Sequence, residues 1–304
     1  MITRVRILSS VVLAIAASLS VAGPGAAEPT RPALPVPDTI AAAYAAGIGS
    51  PGSDPAGAND WSCRPTAAHP NPVVLVHGTT SNMTFAWTTL SPLLKNSGYC
   101  VFALNYGQQP DADIFSASPG SVVTGATGPI EDSAVELSDF VDRVRATTGA
   151  AKVDIVGHSQ GGMMPRYYLK NLNGAASVDN LIGLAPSNHG TTLELGIAGD
   201  FTAGQQQGEG SQFLAGLNSR GDTVPGVTYT VIASRYDAIV TPYTSQFLTG
   251  PNVTNITVQD TCEQDYAEHL ALPYDDLAVS YVMHALDSGY PVAACTFSAP
   301  IIGN

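Results

Sequence analysis

The chain has 304 residues, 44% hydrophobic and 12% charged, enough apolar material for one large core and far from a disordered composition. Its formal charge of −13 repels phosphate groups, which argues against nucleic acids and anionic membranes as partners.

At the N-terminus, Arg4 and Arg6 precede an apolar run from Ile7 to Ala22 that ends at Gly23-Pro24. The run is short for a membrane span and is closed by helix breakers, so residues 1–27 read as a secretory signal peptide cleaved after Ala27. Cleavage would leave ten basic residues against 25 acidic ones. No later segment is apolar enough to span a bilayer, so a released protein without a stable membrane anchor is expected. Residues 28–60 are rich in Pro, Ala and Gly and read as a leader that wraps a single catalytic domain, 61–304.

Four well-separated cysteines in an exported chain imply disulfides, and the expected pairs are Cys63 with Cys100 and Cys262 with Cys295. The second pair would tie a loop containing His269 to the C-terminal tail.

Asn71 to Gly78 is a continuous apolar run closed by His77-Gly78, as expected of a central strand buried on both faces. A loop at 79–82 leads to a helix expected over 85–95, and Tyr99 to Tyr106 supplies another strand. Residues 107–128 are loop-like. Glu131 to Thr148 then carries apolar Val135, Phe140, Val141 and Val144 at helical spacing, with acidic residues in its first turn and Gly149 at its end. The alternation of strand and helix predicts an α/β fold with a mostly parallel central sheet and helices on both faces.

Lys152 to Gly162 follows, a β-branched run entering Gly157-His158-Ser159-Gln160-Gly161, and Met163 to Leu172 reads as a helix. Strand, sharp turn and helix make a nucleophile elbow, in which Gly157 and Gly161 are needed for a strained turn that presents the Ser159 hydroxyl. Further strands are expected at 178–185, 227–233 and 253–258, and a closing helix at 275–286. The Gly-rich stretch 193–218 is an insertion expected either to wall the substrate pocket or simply to pack behind it.

A serine hydroxyl becomes nucleophilic when an imidazole takes its proton and a carboxylate holds that imidazole. With the elbow first, acid and base must come from loops after later strands. Asp237 follows the strand ending at Ala233, whereas Asp222 precedes it, Asp200 lies in the insertion and Asp179 begins a strand. Of six histidines, His69, His77, His158 and His189 come too early. His269 lies in a polar loop and His284 inside a helix, so His269 is the expected base. The oxyanion donors expected are the backbone N–H groups of Gln160 and Thr79, and the Thr79 hydroxyl is a candidate third donor.

The segments 71–78, 152–162 and Tyr167 to Gly174 resemble the secreted bacterial lipases of class 2, which are small α/β-hydrolases. The similarity runs from about Asn71 to the end of the chain and is closest in its first half. It implies the α/β-hydrolase fold, with nucleophile, acid and base on Ser159, Asp237 and His269 and oxyanion donors on Thr79 and Gln160. The smallest members of that family lack both the insertion and the cysteines. Ser159-Gln160-Gly161, with Thr79 after His77-Gly78, is also similar to a fungal lipase.

The expected activity is hydrolysis of carboxylic esters, with lipid or small ester substrates, by a monomer that needs no metal or organic cofactor. A short-chain esterase, a polyester depolymerase or an acyltransferase would keep the same three residues. A catalytically silent binding protein on the same fold is the alternative from another class.

Overall fold

The computed structural model describes residues 32–37, 39, 41–42, 45, 52–108, 124–193 and 201–300. The expected signal peptide, most of the leader, and Leu195 and Ile197 of the insertion lie outside the described residues. The chain divides into Met1–Ala33 and Leu34–Asn304, and every element below belongs to the second unit.

Among the described residues, six short strands form one sheet: β1 (Val73–Val76), β2 (Val101–Leu104), β3 (Val153–His158), β4 (Val178–Leu184), β5 (Thr228–Ala233) and β6 (Val253–Thr257). Their order is β2-β1-β3-β4-β5-β6, and every neighbouring pair is parallel. The helices are α1 (Met83–Ala86), α2 (Leu90–Asn96), α3 (Ile130–Thr148), α4 (Gln160–Met163), α5 (Pro165–Asn171), α6 (Thr202–Gln206), α7 (Gln212–Asn218), α8 (Val258–Thr261) and α9 (Asp276–Leu286).

Alternation along the strands divides the core in two. Val74, Val76, Phe102, Leu104 and Ile155 face α3, α5 and α7, while Val73, Leu75, Val101, Ala103 and Val156 face α1, α2 and α9. A strand that buries both faces must be apolar throughout, which is why β1 and β2 read as unbroken runs.

Two expected helices are broken by proline. The helix predicted over 85–95 is two pieces. Asn82 caps α1 by accepting from Phe85 N–H at 3.0 Å, and α2 restarts with Pro92 in its first turn, where its missing N–H costs nothing. The elbow helix likewise starts at Gln160, ends at Met163 and resumes with Pro165 as the first residue of α5. In α3 the buried stripe is Ile130, Ala134, Leu137, Val141 and Val144. Val135, expected inside, lies off that stripe and is exposed, and Phe140 is only partly buried, edge-on to Trp61 at 5.9 Å.

The described end of the leader covers the free edge of β2. Ala58 bridges to Val101, and the Asn59 side chain exchanges two 3.0 Å hydrogen bonds with the backbone of Ala103, completing a ladder that would otherwise stay open. Both disulfides form with the expected pairing, Cys63–Cys100 and Cys262–Cys295. Among the described residues no helix is long and apolar enough to cross a membrane.

Candidate active site

In a parallel sheet the carboxyl ends of all strands lie on one side, and loops leaving that side converge over the crevice. Gly78 and Thr79 follow β1, Ser159 follows β3, and Asp237 follows β5; His269 lies in the loop between α8 and α9. A cavity of about 230 Å³ opens there, lined by Gly78, Thr79, Ser159 and His269 together with apolar Phe85, Phe201, Ile239, Val240, Leu270 and Tyr274.

Ser159 sits at φ 56°, ψ −123°, in the left-handed region where a side chain is strained. Both flanking glycines are required. A Cβ on Gly157 would come within 1.8 Å of the Gly161 carbonyl oxygen, and one on Gly161 within 2.1 Å of the Val76 carbonyl oxygen. The turn leaves Gln160 as the first residue of α4, so its N–H is one of the free donors at a helix N-terminus.

His269 Nδ1 lies 2.8 Å from Asp237 Oδ2, and both side chains are buried. Because a carboxylate only accepts, Nδ1 carries the proton and Nε2 is the nitrogen left to act. Neither Nε2 nor the Ser159 hydroxyl has a hydrogen-bond partner among the described residues, and both residues border the same cavity. Burial pushes the Asp237 carboxyl up, but His269 and the N–H groups of Val240 and Ile239 outweigh it and hold the carboxyl below its ordinary value.

His158 donates from Nε2 to the backbone carbonyl of His269 at 2.9 Å, fixing the loop that carries the ring. Burial, reinforced by His269, pushes His158 down to about 3, so it is neutral at ordinary pH. His77, fully buried and stacked on Tyr106 at 4.5 Å, is pushed down to about 4 by burial. His284 is exposed on α9 and its ring bonds the Tyr290 carbonyl, well apart from these residues in role.

The Thr79 hydroxyl oxygen accepts from two amides, Gln207 Nε2 at 2.9 Å and Gln160 Nε2 at 3.3 Å. With its oxygen so occupied, the hydroxyl proton is left to point elsewhere, and Thr79 borders the cavity. Gln207 belongs to the insertion, and so does Phe201 in the cavity wall. Of the two expectations for 193–218, the described part therefore matches a pocket wall.

Sequence reasoning did not find Gln207, Gln246, Asn188 or Arg166. Gln246 donates to Asp237 Oδ2 at 2.9 Å, Asn188 Nδ2 donates to the Gln246 carbonyl at 2.6 Å, and Arg166 donates to both oxygens of Asn188. No motif marks these residues; an arginine in the apolar stripe of the elbow helix was the one available signal. Among the described residues no cluster of three or more His, Cys, Asp or Glu side chains could hold a metal.

A family model described as Lipase (class 2) matches residues 70–275. Two triacylglycerol lipases, from Pseudarthrobacter phenanthrenivorans and Burkholderia plantarii, are each 36% identical over 107 residues. The match takes in 33% of this chain, and the chain spans only 28% and 25% of the length of those relatives. Among solved structures, Aspergillus fumigatus lipase B superposes with a TM-score of 0.62 at 22% identity, covering 79% of this chain and 56% of that one. The mature form of Bacillus licheniformis lipase BlEst2 gives 0.54 at 16% identity, covering 78% and 99%. These likenesses show the α/β-hydrolase fold.

Proposed function

The chain belongs to the class 2 lipase family, and on that premise we propose that it is a serine carboxylic-ester hydrolase acting on acylglycerols. In this reading His269 Nε2 takes the Ser159 proton as Oγ attacks the ester carbonyl. Asp237 holds the Nδ1–H tautomer and stabilises the imidazolium that forms. The oxyanion is received by the backbone N–H groups of Gln160 and Thr79 at the positive end of α4, with the Thr79 hydroxyl as a third donor. His269 then returns the proton to the departing alcohol, and water hydrolyses the acyl-enzyme by the same steps in reverse.

The observation that carries this reading is the 2.8 Å His269–Asp237 pair beside a strained serine at the rim of one apolar cavity. Its aromatic and aliphatic lining suits an acyl chain. The two disulfides support an exported protein, which agrees with residues 1–27 as a signal peptide and residues 61–304 as one catalytic domain.

The test is hydrolysis of p-nitrophenyl esters from acetate to palmitate, set against emulsified triglyceride, with fluorophosphonate labelling followed by peptide mapping. Turnover of emulsion and an adduct on Ser159 are expected. Turnover of dissolved short esters alone would make it an esterase, and an unlabelled Ser159 in folded protein would leave a binding protein on a hydrolase fold.

A further inference from the structure

The Asp237 carboxylate is held by four N–H donors. Oδ1 accepts from the backbones of Ile239 and Val240, each at 2.8 Å, and Oδ2 accepts from His269 Nδ1 at 2.8 Å and Gln246 Nε2 at 2.9 Å. The two backbone bonds follow from the turn after β5, and the histidine bond from the catalytic pairing. The fourth donor needs another reason.

Gln246 is fully buried at the end of a 3₁₀ turn, Tyr243–Gln246. The orientation of its amide is fixed by chemistry, because the flipped form would set Oε1 against a carboxylate oxygen, two acceptors in contact. Its Oε1 has no partner among the described residues, and a buried carbonyl left unpaired is unfavourable. A glutamine present only for packing would be better replaced by an apolar side chain. Asn188 and Arg166 brace the turn through the Gln246 carbonyl, so the amide is presented to Asp237 by a rigid support.

We propose that Gln246 is a positioning residue that sets the basicity of His269 by sharing the Asp237 oxygen to which the ring is bonded. The proposal rests on the Ser159–His269–Asp237 reading above. A carboxylate oxygen that gives density to two N–H groups offers less charge to an imidazolium than one that serves the ring alone. The second donor therefore leaves less charge on Oδ2 to stabilise an imidazolium, which favours the neutral ring that accepts the serine proton. It also latches Oδ2 while Oδ1 is held by the turn, so the carboxylate plane stays aligned through both proton transfers.

Other ionisable groups face this pair from the elements packed around it. His158, at the end of β3, has its ring 4.8 Å from His269, with His77 beyond it, and Glu268 adjoins the ring on the same loop. His158 and His77, pushed down to about 3 and about 4, are neutral where an esterase works, and Glu268 is raised by burial. None of them touches Oδ2.

The test is the pH profile of kcat/KM for p-nitrophenyl butyrate with Gln246→Met, which keeps the length of the side chain and removes its N–H. The expected result is an acidic limb about half a pH unit higher, kcat about 10-fold lower and KM nearly unchanged. In an Asp237→Asn background the same substitution should move the limb no further. Gln246→Asn keeps a polar side chain but withdraws the amide from Oδ2, so it must shift the limb the same way even if the methionine variant folds poorly. Limbs that stay in place in both variants, with loss of activity following loss of folded protein, would overturn the proposal while leaving the hydrolase reading intact. A wild type that neither hydrolyses esters nor labels at Ser159 would instead overturn that reading.

Discussion

Two buried aspartates in this molecule each bond a histidine ring. Asp237 meets His269 at 2.8 Å, and Asp222 meets His189 at 3.1 Å. On contact geometry alone the pairs look alike, yet they differ in what surrounds the carboxylate and in what remains free on the ring. Asp222 also bonds the buried Arg166 guanidinium at 3.4 Å and Thr249 through both backbone and hydroxyl. His189 sets its other nitrogen against the Ser245 carbonyl at 3.1 Å, so both nitrogens are engaged and neither is left to serve a hydroxyl. Among the described residues Asp237 has no cation beside it except the one that forms on His269 during the proposed reaction, and Nε2 of that ring has no partner. A histidine–carboxylate contact thus becomes a candidate dyad only where charge is left over on one side and a lone pair on the other.

The sharpest way to break this comparison is to delete each ring. His269→Ala should lower kcat by about 10⁴-fold to 10⁶-fold with the fold retained, because the members of a triad act as a unit. His189→Ala should leave the rate for p-nitrophenyl butyrate within about threefold, since the backbone N–H of residue 189 still holds the Ser245 carbonyl and Asn188 still braces the turn that carries Gln246. Comparable losses in the two variants, measured at equal folded fraction by circular dichroism, would mean that the pairs have been assigned the wrong way round.

The second prediction concerns stability. Arg166 is fully buried and donates to Asp222, Asn188 and Asn218, joining α5 to the insertion and to the loop before β5. Arg166→Met should cost about 3–5 kcal/mol, because it removes the guanidinium beside a buried carboxylate and takes a donor from the Asn188 and Asn218 oxygens as well. Urea denaturation measures this directly, and a change below about 1 kcal/mol would show that water reaches Asp222 when the arginine is gone.

A third prediction uses pH. Burial pushes Asp222 up, but His189, Thr249 and Arg166 outweigh it and hold the carboxyl far below its ordinary value. A carboxyl with a depressed folded-state pKa stabilises the protein above the unfolded-state value and loses that contribution as pH falls through the folded one. The stability deficit of Asp222→Asn should therefore be constant from about pH 5 to 8 and shrink below about pH 4. Equal deficits at pH 7 and pH 3 would contradict the assigned ionisation.

Much of this was legible in the sequence because two rules are strict. Parallel strands buried on both faces must be apolar runs, so β1 to β5 stand out, and a turn as tight as the elbow tolerates only glycine at 157 and 161. Chain order then singled out Asp237 and His269 over Asp222 and His189, through position relative to β5 rather than any local motif. The braces were not legible. Gln246, Asn188, Arg166 and Gln207 come from four separate elements, and amide side chains in loops have no periodicity to betray which of them are buried. Helix breaks at Pro92 and Pro165 could have been read from the missing N–H groups, whereas the turn that carries Gln246 could not.

The smallest effect is expected at Thr79, and it bears on the difference between a braced site and a free one. The hydroxyl oxygen accepts from Gln207 and Gln160, so its proton is the one polar hydrogen on that side chain with no assigned acceptor. If it points to the oxyanion, it adds a third bond to the two backbone donors, and that bond strengthens only as negative charge develops. Thr79→Val keeps the backbone N–H and the shape while removing the hydroxyl, and should lower kcat about 10-fold with KM nearly unchanged. Thr79→Ser should recover most of the loss. A valine variant of undiminished kcat would mean that the hydroxyl serves only to receive the two amides, making Thr79 a counterpart of Asn188 rather than of Gln160.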